Sequence, residues 1–315
     1  MIRIMTILIV CVCLLTGCKD ERFTSINEHQ AFVASMNILA PSLTFYDKKG
    51  DLLATWSFDK AYTGATLIQH DRILLYGNQL KEADLYEISS GKKLATFETG
   101  SGTTNAYYAS EEQMFFLTNS RTNSVISFDI HGNFVNELSL RNYPMSMVAQ
   151  NGLLYVVNYK DTILSVISIA DLELQAEWPI AKLSHGLVIV NDTLWLGGHG
   201  EGSNPNQTVD VLDLSTGQKI KEIETPLMPI GFAQSKDEIA VVSHGENELY
   251  VMDEHGHIKW HSEIGANPFA VTYFNNQIIV AGYDDQTLYV LEDGKIVQEI
   301  ATEKGPFQLL VREDS

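Results

Sequence analysis

Cysteine is nearly absent from this 315-residue chain, and all three cysteines lie within its first 18 residues. Residues 19–315 contain no thiol at all. This excludes a disulfide framework, a cysteine-based metal site and a cysteine nucleophile from most of the chain. A chain of this length buries enough apolar surface to fold without disulfide bonds.

Positive charge is also scarce, with 21 lysines and arginines against 40 aspartates and glutamates, which gives a net charge of −19. Repulsion between so acidic a protein and a polyanion excludes DNA and RNA as partners. Solubility is a sufficient alternative explanation of the acidity. Because like-charged copies repel one another, we also expect a monomer.

Helical and catalytic patterns are missing as well. No window sustains apolar residues at the spacing of an amphipathic helix. The chain has neither the HExxH pair of a zinc protease nor the Gly-x-Ser-x-Gly elbow of a hydrolase, and we predict no metal site and no cofactor. What remains is a series of apolar runs of four to six residues separated by turns rich in Gly, Asn, Asp and Ser. This pattern is typical of an all-β chain.

The N-terminus has the composition of an export signal. Arg3 supplies a positive charge, and Met5 to Leu15 form an apolar stretch too short to span a membrane. The following Leu15-Thr16-Gly17-Cys18 resembles a bacterial lipobox, in which the cysteine is acylated and becomes the first residue after cleavage. The alternative is an ordinary secretory signal peptide that happens to contain cysteine.

The lipobox implies a division of the chain and a location for the protein. We expect residues 1–17 to be a lipoprotein signal peptide and residues 18–29 to be lipidated Cys18 followed by a polar, irregular tether. Residues 30–315 are left for the folded domain. The mature protein is then expected in a bacterial cell envelope, lipid-anchored on the outer face of the cytoplasmic membrane or in the periplasm.

A motif recurs seven times through the domain at a period of about 40 residues. Each copy begins with an apolar strand, and the last residues of these strands are 42, 42, 39, 40, 45 and 39 positions apart. The period predicts a seven-bladed β-propeller of four-stranded blades. The seven strands are Ala31–Ser35, Ile73–Gly77, Phe115–Asn119, Leu154–Asn158, Leu194–Gly198, Ile239–Ser243 and Ile278–Gly282.

The register of the repeat predicts how the ring closes. The domain begins with three strands of a blade, at about Ala31 to Phe58, and ends with an unpartnered strand, Pro306 to Val311. We therefore expect the last strand to complete the first blade, which removes exposed sheet edges. Acidic turns that contain glycine are predicted to be structural turns. Trp56, Trp178 and Trp260, in the outermost strands of three units, are predicted to wedge between blades or cover sheet edges, and sugar binding is the alternative.

The repeat also resembles a known family. Tyr155-Val156-Val157-Asn158 resembles the motif that names the YVTN-type propellers, and Asn123 to Asp129 is similar to the strand and turn that follow it. The chain is thus identified as a YVTN-type, quinoprotein-like seven-bladed propeller. The resemblance implies the fold, whereas the members of this family differ widely in function.

Several polar side chains are predicted to lie around one mouth of the central channel. Three histidines on adjacent blades could bind a metal or act as a general base, and the alternative is that they are solvated loop residues. Arg121, Arg141, Tyr143 and Asp285 are expected nearby, and a glycine-rich loop, Gly197 to Ser203, is expected to form a flexible insertion over the channel mouth. The predicted ligand-binding residues are His185, His199, His244, Tyr159, Lys160, Tyr283 and Asp284.

Two classes of function are consistent with the sequence. The first is a membrane-anchored binding or scaffold lipoprotein that presents the mouth to a protein partner or a small ligand. The second is a propeller enzyme, either a lyase, a lactonase or a quinoprotein-like oxidoreductase. No residue spacing requires catalysis, so we assign no catalytic residue.

Overall fold

The computed structural model describes residues 22–314, and all regular structure in that range is β-strand. Its long strands form seven four-stranded antiparallel sheets, the blades of the predicted propeller. Within the described range no helix is long and apolar enough to span a membrane. The predicted signal peptide and Cys18 lie outside the described residues.

Each blade contributes one inner strand to the wall of the central channel and three strands that lead outward. The inner strands are β4 (Gly64–Ile68), β8 (Thr103–Ala109), β12 (Pro144–Gln150), β16 (Ser184–Val190), β22 (Pro229–Gln234), β26 (Pro268–Phe274) and β30 (Pro306–Arg312). The second strands are β1 (Phe32–Asn37), β5 (Arg72–Tyr76), β9 (Met114–Asn119), β13 (Leu153–Asn158), β17 (Thr193–Gly198), β23 (Ile239–Ser243) and β27 (Gln277–Gly282). The second strands match the seven predicted strands to within two residues at each end.

The two remaining strands of each blade lie farther from the channel. The third strands are β2 (Ser42–Tyr46), β6 (Glu82–Glu87), β10 (Ser124–Asp129), β14 (Ile163–Ser168), β20 (Thr208–Asp213), β24 (Glu248–Met252) and β28 (Thr287–Glu292). The outer strands are β3 (Leu52–Ser57), β7 (Lys92–Glu98), β11 (Phe134–Ser139), β15 (Leu174–Pro179), β21 (Lys219–Glu224), β25 (Ile258–Glu263) and β29 (Lys295–Ala301). A short hairpin, β18 (Gly200–Glu201) with β19 (Asn204–Pro205), is inserted in the fifth blade.

The ring closes as predicted, because β30 pairs with β1 and completes blade 1. Blades 2 to 7 then follow in chain order. We define the upper face as the one where inner strands begin and second strands end. The lower face carries the opposite ends of these strands and the turns between third and outer strands. Both ends of the described chain enter blade 1 at the lower face.

Apolar side chains fill the space between neighbouring blades. One buried cluster lies at each of the seven blade interfaces. Trp56 is fully buried between blades 1 and 2, Trp178 is buried between blades 4 and 5, and Trp260 packs partly buried between blades 6 and 7. The predicted role of the three tryptophans as wedges is therefore confirmed.

The acidic turns close the hairpins at the lower face through a repeated set of hydrogen bonds. The carboxylate of Asp47 accepts from the backbone N–H groups of Lys49 and Asp51, at 2.8 and 2.9 Å. Asp129 and Asp253 accept from residues two and four positions ahead in the same way. These aspartates stabilise turns, as the sequence predicts.

The segment from Arg22 to Gln30 lies against the lower part of blades 1 and 2, where the sequence predicts an irregular tether. The ring of Phe23 stacks on Trp56 at 4.9 Å, and the N–H of Phe23 donates to the carbonyl of Gly91 at 2.9 Å. A Cβ at Gly91, whose φ is 67°, would lie 2.0 Å from the Phe23 carbonyl oxygen, so this approach requires glycine. The packed part of the chain thus begins before residue 30.

Arg312 joins both ends of the chain to blade 2. Its guanidinium donates to the carbonyls of Asn27 and Gln30, at 2.6 and 2.9 Å, and lies 3.3 Å from Asp71. It also lies 4.5 Å from the centre of the Phe32 ring. The side chain is 2% exposed, so these contacts replace its water shell.

A second buried charge holds the junction between blades 1 and 2. The Asp84 side chain is fully buried in β6 and accepts hydrogen bonds from Lys60, Tyr62 and Thr96, with Lys60 at 2.5 Å. Burial acts to raise the pKa of Asp84, but these hydrogen bonds outweigh it and hold the pKa below its usual value. Asp84 is therefore ionised and tied to the linker between the blades.

Removal of residues 306–315 is expected to abolish folding, because it leaves β1 as an open edge and removes Arg312. Circular dichroism and thermal melting test this. Deletion of residues 313–315 alone, which leaves β30 whole, should preserve a cooperative melt. A melt for the larger deletion that matches the intact protein would contradict the closure argument.

Asp84→Asn is expected to lower the free energy of unfolding by about 2 kcal/mol at pH 7, since charge-assisted hydrogen bonds are lost. A lowered folded-state pKa contributes stability above the unfolded-state pKa of about 3.9, and this contribution disappears as the pH falls. The difference between the variant and the native protein should therefore shrink below about pH 4. Urea titrations at several pH values measure it, with exposed Asp59→Asn as the control.

Candidate functional site

One turn recurs at the upper face of blade 1 and of blades 3 to 7. In each, the residue after the second strand donates its N–H to the residue that precedes the inner strand. The accepting residue is glycine in blades 1 and 3, whereas in blades 4 to 7 it is another residue with positive φ, between 58° and 63°, a conformation uncommon outside glycine. In blades 4 to 7 the pairs are Tyr159 with Tyr143 (2.9 Å), His199 with Leu183 (3.1 Å), His244 with Met228 (3.0 Å) and Tyr283 with Asn267 (3.2 Å).

The turn places two tyrosines and two histidines at equivalent positions of blades 4 to 7. The inner strands add His185, Phe269 and Phe307 near their upper ends. Together these seven rings form a continuous series around the channel, which we call the aromatic arc. Neighbouring ring centres are 6.2 Å apart for Tyr159 and His185, 5.6 Å for His185 and His199, 5.7 Å for His199 and His244, 4.5 Å for His244 and Phe269, 5.2 Å for Phe269 and Tyr283, and 5.1 Å for Phe269 and Phe307.

Close backbone contact between blades 5 and 6 brings the histidines together. A Cβ at Gly186 would lie 2.0 Å from the carbonyl oxygen of Ile230, and one at Gly197 would lie 2.0 Å from that of Pro229. Only glycine allows the two blades to approach this far. The positions of His185 and His199 relative to His244 therefore depend on glycines beside them in the chain.

Burial keeps the three imidazoles neutral. Desolvation, together with the nearby His199 and His244, lowers the pKa of His185 to about 4. Desolvation and His244 likewise lower the pKa of His199. Desolvation also lowers the pKa of His244, although a hydrogen bond to the Pro268 carbonyl and the charge of Asp284 oppose it. All three rings are uncharged at pH 7.

The two nitrogens of each imidazole differ in environment. The Nδ1 atoms of His185, His199 and His244 are buried and have no hydrogen-bond partner. A bare nitrogen acceptor is less costly to bury in this way than an N–H donor, so we assign the proton of each ring to Nε2. The hydrogen bond from His244 to the Pro268 carbonyl supports this assignment, because a carbonyl oxygen accepts only from a protonated nitrogen.

A cavity of about 300 Å³ lies in the channel beneath the aromatic arc. His185, Phe269 and Phe307 line it from the upper end, and Met145 and Gln308 are among its other lining residues. The wall is formed by inner strands of several blades. The cavity and the arc together offer an apolar recess with polar atoms at its entrance.

The other predicted residues divide into two groups. The Nζ atom of Lys160 lies 4.2 Å from the centre of the Tyr143 ring, at the edge of the mouth, and Asp284 is exposed beside His244. Asp285 instead accepts from Tyr289 and from the N–H of Ala266, and so supports the blade 7 turn. Exposed Arg141 forms a two-pronged ion pair with Glu177, and Arg121 is exposed.

The glycine-rich insertion forms an ordered hairpin, β18 with β19, on the outer part of blade 5. Between the hairpin and strands β20 and β21 lies a second cavity of about 410 Å³. Its charged lining includes Lys219, which is 3.2 Å from Asp210 and 2.8 Å from Glu222. The insertion borders this outer cavity, whereas the channel cavity is lined by other residues.

Sequence reasoning did not single out Phe269 and Phe307. Each follows a proline that begins an inner strand, at the position that His185 occupies after Ser184. The equivalence of these three positions within the repeat would therefore have placed both phenylalanines at the mouth.

No group of three or more His, Cys, Asp or Glu side chains in residues 22–314 is arranged to hold a metal ion.

Comparison with known proteins supports the fold. No protein-family model matches the sequence, and no curated protein matches it. The chain is similar in structure to a functionally unknown protein from Desulfotomaculum acetoxidans, with a TM-score of 0.77 at 10% identity over 90% of this chain and 99% of that one.

Two further solved structures share the architecture. Hydrazine synthase of Kuenenia stuttgartiensis has a TM-score of 0.74 at 11% identity over 90% of this chain and 99% of that one. BamB from Moraxella catarrhalis has a TM-score of 0.63 at 12% identity over 94% of this chain and 90% of that one. The protein is thus a seven-bladed β-propeller, and likeness at this level of identity shows the fold alone.

The His185 titration tests the geometry of the arc. Proton NMR should give a midpoint of about 4 for this ring. His199→Gln should raise the midpoint, because it removes a neighbour that becomes a cation on acidification. His131→Gln, on the lower face of blade 3, should leave it unchanged. A midpoint near the ordinary value of about 6.5 would mean that His185 is solvated.

Proposed function

We propose that this propeller is a binding lipoprotein of the bacterial cell envelope that holds a small planar ligand at its upper face. The observation that carries the proposal is the aromatic arc above the 300 Å³ channel cavity. Ring faces attract flat, unsaturated groups by stacking. The neutral Nε2–H groups of His185 and His199 add donors that suit a ligand with a hydrogen-bond acceptor.

Binding is better supported than catalysis by the surroundings of the histidines. A general base needs a partner that orients its ring, commonly a carboxylate on the second nitrogen. No carboxylate within residues 22–314 accepts a hydrogen bond from His185, His199 or His244, and their Nδ1 atoms lack any partner. A histidine general base for the lyase or lactonase alternative would therefore lack an orienting carboxylate in this part of the chain.

The anchoring part of the proposal rests on the sequence. Leu15-Thr16-Gly17-Cys18 supports acylation of Cys18 after removal of residues 1–17. The YVTN-type relationship likewise rests on Tyr155-Val156-Val157-Asn158 and remains part of this proposal. An acylated cysteine carries two or more chains, enough to hold the protein on a membrane.

Native mass spectrometry of the protein isolated from its own cells should reveal a bound small molecule. Phe269→Ala and His199→Ala should each reduce its occupancy about tenfold, which corresponds to the loss of one stacking contact of roughly 1.5 kcal/mol. Thermal melting of the variants should stay close to that of the intact protein, because both side chains are only partly buried.

Phe134→Ala is the matched control, since this ring is 63% exposed on the outer strand of blade 3 and far from the channel. It should retain the ligand in full. An unliganded protein that crosslinks in cells to one stoichiometric protein partner would contradict small-ligand binding and favour the scaffold function. Chemical conversion of the bound molecule, lost in His199→Ala and His244→Ala, would favour an enzyme.

A further inference from the structure

The outer cavity of blade 5 lies beside a carboxylate that has one counterpart elsewhere in the repeat. Asp210 is the third residue of β20 and pairs in the sheet with Leu196 of β17. Asp84 is the third residue of β6 and pairs with Leu75 of β5, at the equivalent position of blade 2. In the other blades this residue is Thr, Ile, Ser or Tyr. Blades 2 and 5 thus share an acidic side chain at one position of the repeat.

The two strands beside this aspartate separate above it. In blades 3, 6 and 7 the pairing of the second and third strands continues to the last residue of the second strand. In blades 2 and 5 the pairing stops at the aspartate itself. A slot therefore opens over the carboxylate, and the groups that fill it differ between the two blades.

In blade 2 the chain itself fills the slot with one ammonium group and one hydroxyl group. Lys60 and Tyr62, both from the linker before β4, donate to Oδ2 of Asp84. The other oxygen, Oδ1, accepts from Thr96 and lies 3.5 Å from Nζ of Lys93. Both oxygens of this fully buried carboxylate therefore have donors.

Blade 5 keeps only the part of this arrangement that the outer strand supplies. Lys219 occupies the position of Lys93 and lies 3.2 Å from Oδ1 of Asp210. Glu222 occupies the position of Thr96, so an acceptor stands where blade 2 has a donor. Burial raises the pKa of Asp210, and Lys219 offsets this only in part. The carboxylate of blade 5 therefore has fewer donors than its environment requires.

The part of the slot that the linker fills in blade 2 is open in blade 5. Oδ2 of Asp210 accepts no hydrogen bond from residues 22–314. The linker before β16, residues 181–183, contains no tyrosine, and its one lysine, Lys182, pairs instead with Glu201 at 2.7 Å. Ala181 of this linker lines the outer cavity of about 410 Å³. A volume of this size holds a small polar molecule.

The charges around the outer cavity leave one negative charge unbalanced. Its lining includes two cationic and three anionic side chains, which are Lys182, Lys219, Glu201, Asp210 and Glu222. Lys182 and Glu201 compensate each other at the rim. Lys219 is shared between two carboxylates, at 3.2 and 2.8 Å. A bound group with a single positive charge would restore the balance.

We propose that the outer cavity binds a small primary amine whose ammonium group takes the place that Nζ of Lys60 has in blade 2. The ammonium group donates to Oδ2 of Asp210 and supplies the missing positive charge. A hydroxyl group of the ligand takes the part of Tyr62, and Asn204 and Gln207 of the lining offer further hydrogen-bonding groups. The outer cavity and the channel cavity have different lining residues, so this site does not depend on the proposed function.

Ethanolamine and glucosamine are the probes, and ethylene glycol and glucose are their uncharged counterparts. In protein labelled with ¹⁵N, each amine should shift the amide signals of Gly197, Gly198 and Gly200, which line the cavity. The uncharged compounds should leave these signals in place. Asp210→Asn should weaken amine binding about tenfold, because a charge-assisted hydrogen bond is lost. Asp192→Asn, an exposed position at the lower end of the same blade, should preserve it.

Ala181→Lys provides a second variant, which fills the slot from the linker as Lys60 does in blade 2. It should abolish amine binding and raise the melting temperature by a few degrees. Phe269→Ala, in the aromatic arc, should bind the amines unchanged, so that failure of this site and failure of the planar-ligand site can be told apart. The proposal would be overturned by amines that shift no signal, by uncharged compounds that bind equally well, or by unchanged binding in Asp210→Asn. Shifts caused by Ca²⁺ but by neither amine would overturn it in favour of a metal site.

Discussion

The pairing of β30 with β1 is the constraint on which the rest of the structure depends. It joins the last strand of the chain to the first blade and brings the seven inner strands into a closed ring. Arg312 strengthens this junction because it binds the N-terminal segment and Asp71 of blade 2 at once. Closure leaves no inner edge open, so each blade presses on two neighbours through a buried apolar cluster.

The closed ring gives the molecule two faces with different chemistry. Inner strands begin at the upper face, where strained turns hold tyrosine and histidine rings side by side above the channel. Both ends of the described chain leave at the lower face. The proposed ligand site therefore lies on the face opposite the one where the described chain begins and ends.

Much of the architecture could be predicted from the sequence, because each repeat encodes one blade with alternating strands and acidic turns. The strand from Leu154 to Asn158 and the closing strand from Pro306 lie where the period predicts them. The start of the packed chain could not be predicted. The segment from Arg22 to Gln30 has no strand pattern. Its position is decided by the stacking of Phe23 on Trp56, which lies in the outer strand of blade 1 more than 30 residues farther along the chain.

For the site, the sequence by itself determined which residues stand at the upper ends of the strands, because position within a repeat fixes the face of the blade. His185, His199, His244, Tyr159 and Tyr283 could be placed at the mouth in this way. Only the tertiary structure decided that their rings touch, that Phe269 and Phe307 join them and that Asp285 turns away. Those outcomes depend on how closely blades 5 and 6 approach and on which nitrogens are buried, and both are set by packing between blades far apart in sequence.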